Sequence, residues 1–130
     1  MAANTSPIFE AVPRVLGISL AIGDTTTPKT FGTIGAEGTR IDSIMCSTND
    51  TAAVNLAFYI NDGSTDHYIG VVLLPIGTGY TTVVRVDAMT TLSPALGYLA
   101  IPTGYLLKAG CVATMTTGKV TDVVAMGGDY

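Results

Sequence analysis

Tryptophan is missing from this chain, histidine occurs once and cysteine twice in 130 residues. Each shortage removes a class of chemistry. Acid–base and nucleophilic catalysis draw on His, Cys or carboxylates held close together, and here His67 is the single imidazole. A Ser–His–Asp triad would have to use it, and no Gly-x-Ser-x-Gly elbow occurs. Metal centres need several convergent ligands, so His67, following Asp66, reads as a solvated loop residue. No catalytic residue, cofactor or metal is expected. Cys46 and Cys111 each lie in an apolar or Thr-rich run without a Cys-x-x-Cys pair, and the expectation is two buried free thiols.

Charge is also scarce. Charged residues make up 12% of the chain against 48% hydrophobic, where roughly a quarter charged is usual for a soluble domain. Something other than water is therefore expected to cover part of the surface. The net charge is -4, and Arg14, Lys29, Arg40, Arg85, Lys108 and Lys119 are spread along the chain with no basic run, which disfavours direct binding of nucleic acid. The longest strongly apolar stretch, Ile69 to Ile76, is about a third of the length that crosses a bilayer and contains Pro75. No membrane span is expected. Residues 1–7 lack the basic and apolar regions of a secretory signal, so the chain is expected to be used without secretion.

What is present is strand periodicity. Leu16, Ile18, Leu20 and Ile22 alternate with smaller residues, a half-buried strand. Thr39 to Ser47 resumes the pattern, with a phase slip between Ile41 and Ile44 that predicts a bulge. Val54, Leu56, Phe58 and Ile60 alternate up to Asp62-Gly63, a turn signal, and Tyr68 to Leu74 returns as the second strand of a β-hairpin. That second strand is apolar on both faces and is expected at the centre of a sheet. Thr81 to Val86, Leu99 to Pro102, Tyr105 to Lys108, Cys111 to Thr117 and Val120 to Ala125 follow as strands, with turns at Gly104, Gly110 and Gly118-Lys119 and at most one helical turn between Asp87 and Gly97. About eight or nine short strands with regular turns predict a single all-β domain over residues 14–130, an antiparallel, jelly-roll-like β-sandwich.

Residues 1–13 lack a core-forming pattern and contain Pro7 and Pro13, so they read as an extended arm. Ala2, Ala3, Asn4, Thr5, Ser6, Pro7, Ile8 and Phe9 form a candidate docking arm. Asp62 and Asp66 lack the full calcium-loop pattern, and Gly32, Gly35 and Gly38 lack the strand–loop–helix setting of a dinucleotide site. Tyr59, Tyr68, Tyr80, Tyr98 and Tyr105 are scattered singly and read as core rim or interface residues, while a carbohydrate-binding platform stands as an alternative.

The hairpin from Thr51-Ala52-Ala53 through Tyr59-Ile60-Asn61-Asp62-Gly63 to Tyr68-Ile69-Gly70 resembles small virion structural proteins of tailed bacteriophages. So do Gly104-Tyr105-Leu106-Leu107-Lys108-Ala109-Gly110 and the ending Val120-Thr121-Asp122 to Gly127-Gly128-Asp129-Tyr130. The likeness covers about Ser6 to the C-terminus and is one of pattern. It implies a head decoration, or cement, protein: a β-sandwich on the outer capsid surface, a homotrimer before a dimer, binding the major capsid protein. A tail, neck or fibre adaptor is the alternative within the same resemblance.

Overall fold

The computed structural model describes residues 11–130, and those residues form two antiparallel sheets packed as a sandwich. The docking-arm residues Ala2 to Phe9 lie outside the described part. The strands are β1 (Val12–Leu20), β2 (Lys29–Thr30), β3 (Thr39–Thr48), β4 (Val54–Asn61), β5 (Asp66–Leu74), β6 (Val86–Asp87), β7 (Leu99–Ile101), β8 (Leu106–Cys111) and β9 (Thr121–Asp129), with a 3-10 turn at Ile22–Asp24 and a short α-helix, α1 (Met89–Leu92). Strand β1 begins inside the stretch read as an arm, with Val12 opposite Asp129 and Pro13 opposite Gly128.

The five-stranded sheet runs β1-β9-β3-β6, with β7 also on β3, and the four-stranded sheet runs β2-β8-β4-β5. Alternation decides which side chains enter the space between them. Leu16, Ile18 and Leu20 of β1, Ile44 and Cys46 of β3, and Val123 and Ala125 of β9 meet Leu56 and Phe58 of β4, Val72 and Leu74 of β5, and Leu107 and Ala109 of β8 in one cluster. Phe31 lies against Phe58 with ring centroids 6.4 Å apart. The expected bulge is present: the β3–β9 register shifts between Ile41 and Ser43, and Ile41 and Ile44, out of phase in sequence, are both fully buried.

Four strand expectations need correcting. The apolar second hairpin strand, β5, is not central but the edge of its sheet, and its outward Val71 and Leu73 are exposed. Of Thr81 to Val86 only Val86 enters a strand, because residues 77–83 are folded onto themselves, with Tyr80 and Thr81 amides both donating to Gly77 O. Of Cys111 to Thr117 only Cys111 lies in a strand, at the end of β8, and Gly110 is not a turn but sits inside β8, opposite Ala57. A Cβ there would come within 3.0 Å of Pro28 Cα, so its hydrogen side chain admits the neighbouring segment.

Candidate functional site

Register places the outward residues of both sheets. On the four-stranded sheet the cross-strand rows are Lys108–Tyr59–Tyr68 and Gly110–Ala57–Val71, with Leu73 opposite Asn55. The sequence left Tyr59 and Tyr68 as single residues, but a register shift between Phe58 and Tyr59 brings them together. Their rings meet edge to face at 6.0 Å, and Tyr68 remains 62% exposed. The other face carries rows Val15–Met126–Ser43, Gly17–Val124–Met45 and Ser19–Asp122–Ser47. Asp122 is the one ionisable group in those three rows; its carboxylate accepts from Ser19 Oγ at 2.5 Å and Tyr80 Oη at 3.2 Å. Both outer faces are thus poor in charge and carry apolar side chains: Val15 is 68% exposed, Leu73 55% and Val71 37%.

The titratable groups of the hairpin bond to their neighbours. At the hairpin tip Asp62 Oδ1 accepts from the amides of Ser64 and Thr65, while Oδ2 lies 2.9 Å from His67 Nε2. The His67 contact and those amides hold the Asp62 carboxyl below its usual range. Asp62 is thus a turn former, as its sequence setting implies. Asp66 binds Asn61 Nδ2 at 2.7 Å and Lys108 Nζ at 3.3 Å. Among the described residues no group of three or more His, Cys, Asp or Glu is placed to hold a metal. Two described pockets, of about 150 Å³ beside Asp50 and about 250 Å³ beside Ala100–Pro102 and Tyr130, are smaller than the ~300–1,000 Å³ of typical small-molecule sites.

No family model matches this chain, and no curated protein matches it. The surface itself is therefore the guide to function.

Sequence reasoning missed two carboxylate knots. Arg14 Nε and Thr39 Oγ1 both donate to Asp129 Oδ1, at 3.1 and 2.7 Å, tying β1, β3 and β9 at one end. At the other, buried Asp50 collects the Ala52 amide at 3.0 Å and Thr116 through both its amide, 3.0 Å, and its hydroxyl, 2.6 Å. Partners 90 and 66 residues away leave no local sequence signal.

The two thiols are free and buried, as expected from their apolar surroundings. Burial, with Asp87 nearby, pushes Cys46 up to about 12, and burial, with Asp24 and Asp50 nearby, pushes Cys111 up to about 11. Since the thiolate is the reactive form, the folded protein should resist a thiol reagent such as a disulfide-exchange dye at pH 8. Two equivalents should react at once on unfolding, and rapid labelling of the native protein would contradict this burial.

Proposed function

We propose that this protein is a structural component of a tailed-phage virion, a capsid decoration protein that binds the outer surface of the head and stabilises contacts between major capsid subunits. The observation that supports this reading best is the exposure of apolar residues on both outer sheet faces, on a chain with few charges. Contiguous exposed apolar surface marks interaction sites in soluble proteins. A cement protein needs no chemistry; weak contacts repeated across a lattice give avidity well beyond one interface. The same surface suits self-association, a trimer being the first expectation from the resemblance and a dimer the second. Synthesis in the host cytoplasm and residence on the outer capsid belong to the same reading, with residues 2–9 as the candidate docking arm.

Quantifying the protein in purified particles tests it. Hundreds of copies per virion, falling when residues 2–10 are deleted, is the expected result. A few copies would move the protein to the tail or neck, undiminished occupancy would remove the arm from the mechanism, and absence from the particle would end the reading. The edge-to-face pair Tyr59–Tyr68 on an open sheet face favours a second reading, carbohydrate binding, since sugars stack on exposed aromatic rings. Glycan-array binding that disappears in Tyr68→Ala would establish it.

A further inference from the structure

From the open edge of the four-stranded sheet we infer that two copies of this chain pair through β5, antiparallel about a two-fold axis, joining their sheets into one of eight strands. An edge strand carries a row of backbone N–H and C=O groups pointing away from its neighbour, and only another extended strand satisfies them in register. Proteins blunt such edges with short strands, proline, charge or cover. The other edges here are managed in those ways. Strand β1 carries Pro13 and Arg14, and Lys29 Nζ donates to Ser19 O at 2.7 Å. Strand β2 is two residues long and preceded by Pro28, and β6 and β7 are two and three residues long.

Strand β5 differs from the short edges in its length, and what adjoins it is partial: α1 packs beside it, with Leu92 Cδ2 2.9 Å from where a Gly70 Cβ would lie. It is nine residues long, and among the described residues it pairs only with β4. From Tyr68 to Leu74 it has neither a charge nor a proline. The exposed side chains of that run, Tyr68, Val71 and Leu73, are apolar or aromatic, while the polar Asp66 and His67 are exposed at the start of the strand. The irregularity at Phe58/Tyr59 skips Ile69, and the run from Gly70 onward pairs regularly with β4.

The occupant follows from charge and symmetry. In an antiparallel self-pairing each residue meets its mirror position in the sequence, and a charge on the axis would face its own copy. Residues 68–74 escape this because none is charged, and the midpoint of that run is Val71. Centring the axis there puts Val71 against its own copy and buries the two apolar faces as one stripe. Such an isologous contact closes on itself, and it selects the dimer from the two oligomers considered above. The inference deepens the self-association in the proposed function but is independent of the capsid: absence from virions would leave it standing, and loss of the dimer would leave capsid binding untouched.

The test is the solution mass of the full chain by light scattering at high micromolar concentration. Wild type should have twice the chain mass. Val71→Lys, an outward position at 37% exposure, should halve that mass while far-UV circular dichroism and thiol protection stay native. Equal amounts of Val71→Lys and Val71→Glu, each monomeric alone, should restore the dimer mass when mixed. A monomeric wild type, a trimer indifferent to Val71→Lys, or a mixture that stays monomeric would overturn the inference.

Discussion

Gly127→Ala should leave little folded protein, with a loss on the order of 4 kcal/mol or more, at the extreme of single-substitution effects. Glycine is required here by crowding, not by a left-handed backbone. A Cβ at this position would sit 1.8 Å from the carbonyl oxygen of Arg40, 2.8 Å from its carbon and 3.0 Å from Ile41 Cα. These are backbone atoms of the paired strand, so no side chain can swing away. Gly127 opposes Ile41 beside the bulge, where the β3–β9 ladder skips from Ile41 to Ser43. Separating the strands there would also move Asp129 from Arg14 and Thr39, which it joins two residues later. Gly23→Ala is the matched comparison, because nothing lies within 4 Å of its Cβ position; it should change stability by about 0.5 kcal/mol or less. Thermal unfolding of the two variants checks the contrast, and a Gly127→Ala protein that melts near wild type would refute the close approach of β3 and β9.

Why the bulge was legible and the edge strand was not follows from the range of the interactions involved. A bulge writes itself into local sequence, since inserting Asp42 shifts the apolar phase and Ile44 must return to the core side, where it is fully buried. The Asp62-Gly63 turn is local too, its carboxylate binding amides two and three residues on. Strand order is different. An apolar run such as Tyr68 to Leu74 is equally compatible with burial on both faces and with an edge awaiting a partner, and only the assembled sheet separates the two. Gly110 shows the same limit, because a glycine between apolar residues reads as a turn until Pro28 is seen packing against it. As for the site, single tyrosines gave no hint that one register shift would pair Tyr59 with Tyr68. The shortage of charge did carry through, from the composition to two outer faces with few ionisable groups.

Asp50→Ala should cost about 3 kcal/mol, because it removes a buried carboxylate and leaves its donors unmatched. Asp50 lies two residues past the end of β3 and reaches across to the segment before β9, where Thr116 donates twice. Its neighbour Asn49 sews the same two segments, its Oδ1 accepting from the Val120 amide at 2.8 Å and its own amide donating to Val120 O at 3.2 Å. Residues 112–120 form no strand, so these bonds fix the approach of β9 to the centre of its sheet. Burial by itself would raise the Asp50 pKa, but the hydroxyl and amide of Thr116 and the amides of Ala52 and Thr51 outweigh it, and the net shift is downward. The sign of the pH effect follows. The folded state prefers the ionised form, so the stabilisation is fully present above the unfolded carboxyl value of about 3.9 and is lost as pH falls through the lower folded value. Asp50→Asn keeps one acceptor oxygen and cannot ionise. Its deficit relative to wild type should therefore be largest at neutral pH and shrink as pH drops below about 4. Urea unfolding of both proteins at pH 7 and pH 3 measures this, and a deficit unchanged between the two would show that the ionised carboxylate is not what holds the loop.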